Sequence, residues 1–431
     1  MPQNMPQNMP WPSARRTARE AAKPLEAVEL VLSDAAGFAL ASGVRALASQ
    51  PTCDTSAMDG YAVAGPGPWT VVGRIAAGDP MSDTVLRPGE AFGVATGAPV
   101  PVGSDLVIPV ERCTVDGARL VEQAQCQHSG CRHVGGQTAG CQHPGCQHQG
   151  CEHSGCQHPV PAQVGKHIRR RGEDWSAGDE LVPAGSAVSP AVLGLAAGAG
   201  HDTLLVHRRP RVTVIVTGDE LLRSGSPRPG RVRDAIGPML PGLLVGADLV
   251  GTTHVRDDPS ALADALTNAL TSDQADVLVT CGATSAGPAD HLRRVLHDLG
   301  AEILVSGVAC RPGHPMLLAV LPDGRCVVGL PGNPFAAFAA VLTLLQPLLG
   351  TLGGHAPRPP ITARLTRVEA HPRDTRLVPV TRRGDNAIPA GHDRPGSLWG
   401  AALADALAVV PPGHQGGEVE LISAQAGQVP V

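Results

Sequence analysis

From about residue 206 to residue 354, apolar and polar positions follow two alternating rhythms. Short β-branched runs bounded by Gly, Pro or Asp give way to longer stretches with apolar residues at helical spacing. The short runs predict strands at 212–217, 249–255, 277–280, 302–306, 317–320 and 326–330. Helices are expected at 238–245, 259–270, 291–299 and 334–349. Asp258 and Asn333 stand where N-caps belong, each followed by a proline at the first helical position. Strands alternating with helices imply a doubly wound, mostly parallel α/β sheet domain over residues 206–354.

The flanks carry different patterns. Residues 1–20 are polar and begin with a repeated Met-Pro-Gln-Asn, which reads as a disordered tail. Residues 26–47 place apolar positions at helical spacing, with Ser33 and Asp34 set to cap a second helix. Short β-like pieces at 70–75, 91–96 and 105–110 are separated by Pro, Gly and Asp, the rhythm of a β-rich domain over 51–164. A short helix is expected at 189–199 and a stiff proline linker at 357–360. Beyond it, alternating runs at 361–368, 377–381, 406–410 and 418–422 suit a small β-barrel or sandwich over 357–431.

Composition narrows the functional classes. A chain of 431 residues has room for two to four domains, and with aromatics at 2% the cores must be built from small aliphatic side chains. The net charge of −5 offers no basic face for general nucleic-acid binding. No uninterrupted apolar run reaches bilayer length and the start lacks a signal-peptide pattern, so a cytoplasmic location without membrane contact is expected. Of the 11 cysteines, Cys53, Cys113, Cys281, Cys310 and Cys326 show no paired spacing, and buried or semi-buried thiols are expected for them. The other six belong to Cys-x-His triplets, from Cys126/His128 to Cys156/His158. Thiolate and imidazole suit Zn²⁺ or Ni²⁺, but the spacing is not that of a zinc finger and apolar positions are nearly absent. A short-period repeat within a surface loop is the favoured reading of 126–158, with metal binding there adventitious.

The stretch Asp276 to Asp290 carries the most pointed chemistry. A strand ends in Gly282-Ala283-Thr284-Ser285-Ala286-Gly287, and a helix follows. Such a loop can cradle an anion on backbone N–H groups, with Asp290 offering a carboxylate to a divalent cation. It can equally be an ordinary strand-to-helix turn whose glycines serve geometry. Asp59 and Thr96 carry the same ambiguity, since both residue types form turns. Arg169-Arg170-Arg171-Gly172-Glu173-Asp174 reads either as a solvated charge run or as an anion-binding edge presenting Asp174.

Taken together, six motifs resemble one family. They are Ser56-Ala57-Met58-Asp59-Gly60-Tyr61-Ala62, Thr96-Gly97-Ala98-Pro99-Val100-Pro101, Arg171-Gly172-Glu173-Asp174, Thr217-Gly218-Asp219-Glu220-Leu221, the 282–287 loop, and Gly332-Asn333-Pro334. In this order, over roughly residues 25–425 without the Cys/His tract, they resemble the molybdopterin molybdenumtransferases, the MoeA and gephyrin E-domain family. The resemblance implies an elongated domain from two segments (21–50 and 165–205), the inserted β-rich domain, a molybdopterin-binding α/β domain and a C-terminal β-barrel. It also implies a homodimer, and contacts with molybdoenzymes or cofactor-pathway proteins. The reaction implied is insertion of molybdate into adenylylated molybdopterin, releasing AMP, with Mg²⁺ assisting.

By the same resemblance, Asp59, Asp174, Glu220 and Asp290 are the catalytic carboxylates, with Asp290 and Glu220 toward Mg²⁺. Thr96, Gly282, Thr284, Ser285, Gly287, Gly332, Asn333 and Ser397 would contact substrate, and Arg311 and His314 would face molybdate. Asp59, Thr96 and Asp174 would approach from the partner subunit. This chain departs from the family pattern at Ala283, at Ile236, and at Arg311 and His314, which stand where lysines are usual. Those departures leave a second reading, a catalytically weakened molybdopterin-binding paralogue acting as scaffold or metal handler. The adenylyltransferase step itself is a third, disfavoured by the additional domains.

Overall fold

The chain divides into two compact units, one comprising Arg45–Leu181 with Gly198–Gly200, the other Met1–Val44, Val182–Ala197 and His201–Val431. The structure, a computed structural model, describes residues 8–123, 163–272, 275–282, 291–365 and 368–424.

The smaller unit is built on a six-stranded sheet in the order Cys113–Asp116, Arg119–Glu122, Trp69–Ile75, Glu90–Val94, Gly60–Val63, Leu106–Pro109. Neighbouring residues turn to opposite faces, as the strand period of two requires. Ala62 and Val107 pack with Phe92 and Val94 in one cluster, while Val63 and Ile108 pack with Trp69 and Leu120 in another. Both faces are therefore buried, which is how short strands with few aromatics still form a core.

In the larger unit, six strands form the α/β sheet: β1 (Arg211–Thr217), β2 (Asp248–Val255), β3 (Val277–Cys281), β4 (Glu302–Ser306), β5 (Leu317–Val320) and β6 (Cys326–Leu330). Their order is β2-β1-β3-β6-β5-β4. The first four are parallel, and β5 runs antiparallel to both of its neighbours, β6 and β4. The expected mostly parallel sheet is thus present, with an antiparallel pair at one edge.

Helices cover both faces of this sheet. They are α1 (Trp11–Glu20), α2 (Ile236–Leu243), α3 (Pro259–Thr271), α4 (His291–Asp298) and α5 (Pro334–Ala340). Leu262 and Leu266 of α3 and Leu292 and Leu296 of α4 pack on Leu278, while Val277 and Val279 turn to the face of α2 and α5. Asp258 caps α3 as expected, accepting the N–H of Ser260 and of Ala261 at 3.0 Å each. Strands β7 (Ile361–Leu365), β8 (Thr375–Arg383), β9 (Asn386–Pro389), β10 (Ala406–Val410) and β11 (Gly417–Ser423) close in the order β7-β9-β8-β10-β11, with β11 returning to β7. A closed barrel, rather than a sandwich, therefore forms the C-terminal module.

Four expectations are corrected. Residues 11–20 of the supposed tail form α1, because Trp11, Ala14 and Ala18 make a narrow apolar stripe buried in the core. Residues 26–47 are not helical: Ala27–Val31 is a strand paired antiparallel with Thr203–His207. Ser33 and Asp34, expected as helix caps, lie in a 3₁₀ turn, Leu32–Asp34. The apolar and polar residues of 27–31 fit a period of two as well as a helical one, and the remote partner decides. Asn333 occupies the cap position of α5, but its side chain makes no capping bond. Lastly, the helical rod Pro334–Leu352, which includes a π turn at Val341–Leu345, is long and apolar enough to span a bilayer by length and composition. Within the protein 83% of it is buried, as befits a core helix.

Candidate functional site

Parallel strands end on one edge of the sheet, and the glycines of the expected cradle gather there. Thr217 closes β1 with its hydroxyl donating to the Cys281 carbonyl at 3.2 Å. Gly282 follows β3 with φ of 95°, and its N–H donates to the Leu330 carbonyl at 3.0 Å. A Cβ on Gly282 would lie 2.7 Å from Thr217 Oγ1, so both conformation and space demand glycine. Gly332, after β6, stands close enough that a Cβ there would be 3.9 Å from Gly282 Cα. Glu220 reaches the same edge, with Oε2 beside Gly218.

The start of α5 completes this group. The Phe335 and Ala336 N–H groups donate to the Pro395 carbonyl at 2.9 and 3.3 Å, so the 394–397 loop satisfies the helix terminus that Asn333 was expected to cap. Asn333 is left with its amide free of that duty, and Gly396 packs beside its Oδ1. Ser397 belongs to the same loop, its N–H donating to the Arg394 carbonyl. Gly282, Glu220, Gly332, Asn333 and Ser397 are thus brought to one place.

Arg311 and His314 lie on a neighbouring loop. Val308 N–H donates to the His314 carbonyl at 3.0 Å, and the ring Nδ1 of the exposed His314 lies 3.2 Å from the Val308 carbonyl. Gly313 packs near the Ala336 carbonyl, seating the loop on α5. Arg311 Nε donates to Asp374 Oδ2 at 2.7 Å. Beneath the loop, the buried Cys310 thiol donates to the Pro312 carbonyl, and burial pushes its pKa well up. Cys281 and Cys326 are buried as well and Cys53 and Cys113 half-buried, all free thiols as expected.

Sequence reasoning missed Asp234. Its buried carboxylate accepts the N–H of Ile236 at 3.0 Å and of Gly237 at 2.9 Å, starting α2, and a Cβ on Gly237 would strike it. Ile236, read from the sequence only as a departure from the family pattern, is the residue whose N–H this carboxylate receives.

Asp59, Thr96 and Asp174 lie in the smaller unit. Asp59 Oδ1 accepts the Thr96 N–H at 2.6 Å and its hydroxyl at 2.9 Å, and these bonds hold the Asp59 carboxyl below the usual carboxylate range. The Ser56 N–H donates to the Ala98 carbonyl, joining two of the motifs, while the Ala57 N–H donates to the His167 carbonyl and the Asp174 N–H to the Gln50 carbonyl. Asp174 pairs with Arg169. Asp54, a second residue not anticipated, accepts Arg170 and the Arg171 N–H and fastens the arginine run. Thr284, Ser285, Gly287, Asp290 and the departure at Ala283 lie outside the described residues, as does the 126–158 tract. Among the described residues, no group of three or more His, Cys, Asp and Glu could hold a metal ion. A hard cation needs several oxygen ligands, which among the described residues Glu220 alone does not supply.

The MoeA N-terminal region (domains I and II) matches residues 9–200, and a probable molybdopterin binding domain matches 213–351. Molybdopterin molybdenumtransferase 2 of Mycobacterium tuberculosis is 32% identical over 385 residues, 84% of either chain. This chain belongs to the molybdopterin molybdenumtransferase family. A second member of that family, from Nostoc sp., is 30% identical over 74% of this chain and 68% of its own. In fold, the chain resembles the crystal structure of a molybdopterin biosynthesis MoeA protein from Pyrococcus horikoshii, with a TM-score of 0.75 at 19% identity, covering 96% of this chain and 100% of the other. Family membership accounts for the strand-end glycines and the closed barrel together, since the α/β module alone requires no barrel.

Proposed function

We propose that this protein inserts molybdenum into adenylylated molybdopterin, releasing AMP, in the biosynthesis of molybdenum cofactor. The observation that carries this reading is the meeting of Gly282, Gly332 and Asn333 at the carboxyl ends of β3 and β6, where close-approaching backbone suits a phosphate-bearing ligand. In this reading the loop from Gly282 to Gly287, with Thr284 and Ser285, receives the substrate phosphates, and Asn333 and Ser397 offer hydrogen bonds to its polar groups. Arg311 and His314 face molybdate, a doubly charged oxyanion. Asp59, held ionised by Thr96, serves as a hydrogen-bond acceptor or base rather than an acid.

Asp59, Thr96 and Asp174 act across a homodimer interface, on a cytoplasmic enzyme. Asp290 with Glu220 is the carboxylate pair proposed for Mg²⁺. The Cys/His tract takes up zinc or nickel without serving the main reaction, and equal metal stoichiometry after deletion of 126–158 would end that idea.

The test is reconstitution of a molybdoenzyme in vitro from adenylylated molybdopterin and physiological molybdate. Active molybdoenzyme and released AMP are expected. Absence of both, under conditions where another family member succeeds, would leave the weakened-paralogue reading in its place.

A further inference from the structure

We propose that Asp374, on the C-terminal barrel, is the positioning residue that sets the affinity of the Arg311 loop for a tetrahedral dianion. The inference rests on the assignment of Arg311 to molybdate made above. Arg311 ends the short strand Val308–Arg311, which lies between Met9–Pro10 on one side and β8 on the other. Its register partner is Arg376, and Cys310 partners Thr375, so this pairing brings Asp374, the residue just before β8, within reach of Arg311. The contact uses Arg311 Nε, at 2.7 Å from Asp374 Oδ2.

Exposure shows the sense of this arrangement. The Arg311 side chain is 62% exposed and that of Asp374 is 19% exposed. The carboxylate is the sheltered anchor and the guanidinium projects outward from it. Because the guanidinium is a planar fork, a bond through Nε fixes its plane and leaves Nη1 and Nη2 to present parallel N–H groups to an oxyanion. Asp374 is itself held, because His371 Nδ1 accepts the Asp374 N–H at 2.9 Å and the Arg373 N–H at 3.3 Å.

The barrel supports the other half of the site in the same manner. Arg376, the register partner of Arg311, pairs with Asp393. Asp393 leads directly into the 394–397 loop that caps α5 beside Asn333. The two Arg–Asp pairs therefore link the oxyanion loop and the Ser397 loop to one strand of the barrel. The role of Asp374 is to orient, and it touches no reacting atom.

This proposal opposes simple electrostatics, and that opposition makes it testable. Asp374→Asn removes a negative charge near an anion site, so Coulomb attraction alone would tighten molybdate binding. Positioning predicts the reverse. Equilibrium binding of molybdate to the full-length protein should weaken about tenfold in Asp374→Asn, and the molybdate KM should rise in step with kcat little changed. Binding of adenylylated molybdopterin should be unaltered. In an Arg311→Lys background, Asp374→Asn should not weaken binding further, because the Nε it anchors is gone and only the Coulomb effect of the lost carboxylate remains.

Asp374→Glu, which keeps the charge and shifts it by one methylene, should also weaken molybdate binding, and it serves if the Asn variant does not fold. Equal or tighter binding in Asp374→Asn, or the same loss in the Arg311→Lys background, would overturn the proposal. Unchanged molybdate binding in Arg311→Ala would remove the assignment of Arg311 and the proposal with it. Failure of the wild type to form cofactor, with molybdate binding intact, would sink the insertase reading alone and leave the Asp374 comparison readable.

Discussion

Trp11 Nε1 donates a hydrogen bond to Thr343 Oγ1 at 3.0 Å, joining two residues 332 positions apart in the chain. The indole is buried, the Thr343 hydroxyl donates a hydrogen bond to the Ala339 carbonyl, and Arg15 stacks over the indole while donating to the Leu342 carbonyl in the π turn. The helix α1 is thereby a structural part of the larger unit. Trp11→Ala should destabilise the protein by about 3–5 kcal/mol, the range for emptying a buried aromatic site. Trp11→Phe keeps most of the volume but leaves the Thr343 hydroxyl without its donor, and should cost about 1–2 kcal/mol. Denaturant titration of the two variants checks both values, and a Trp11→Ala loss under about 1 kcal/mol would mean α1 is not docked.

Gly282 combines a left-handed backbone with no room for a Cβ against Thr217. Gly282→Ala should therefore cost about 1–3 kcal/mol and weaken binding of adenylylated molybdopterin more than of molybdate. Calorimetry with each substrate separates the two effects. Wild-type affinity for the pterin substrate in a folded Gly282→Ala protein would remove this glycine from the cradle.

Asp276 sits at the opposite end of β3 and receives Arg208 through both guanidinium nitrogens, at 2.7 and 2.8 Å, and the Arg211 N–H at 2.7 Å. Burial by itself would raise the carboxyl pKa, but these bonds outweigh it and hold the group below the usual carboxylate range. A lowered folded-state pKa means that the stabilisation is fully present above the unfolded-state value, about 3.9, and is lost as pH falls through the folded-state value. Asp276→Asn should cost about 2–3 kcal/mol at neutral pH and progressively less in acid. Unfolding curves measured from neutral to strongly acidic pH test this, and a pH-independent difference would show that the charge is not what Asp276 contributes.

His314 lies with Nδ1 against the Val308 carbonyl, a contact that places the proton on that nitrogen and leaves Nε2 as the ring's other polar atom. A neutral ring then offers an oxyanion only a lone pair, so His314 attracts molybdate only when protonated. His314→Lys, which supplies a permanent cation, should lower the molybdate concentration needed for half-maximal cofactor formation at neutral pH. An unchanged requirement would show that His314 does not face the oxyanion.

Much of the α/β module was legible because its signals are local. The runs behind β1 to β6, the Asp258 cap and the glycine after β3 each lie within a few residues of what they determine. The family motifs were legible for the same reason, since a turn that must approach a ligand leaves little choice of residue. The strand Ala27–Val31 was misread because its partner, Thr203–His207, is remote in sequence, and local periodicity did not distinguish the two structures.

The same division runs through the candidate site. Sequence alone named the candidate residues: Asp59, Glu220, Gly282 and Asn333 by their motifs, and Arg311 and His314 by the positions where they depart from the family pattern. Tertiary structure decided their employment. Pro395, not Asn333, satisfies the start of α5, and Asp374 holds Arg311, because barrel closure and strand register bring these partners in from 60 and 63 residues away. Hydrogen-bond partners at such separations depend on how whole modules pack, and no local pattern encodes that. The sequence states the chemistry, and the packing of the barrel against the α/β sheet determines which atoms are left to perform it.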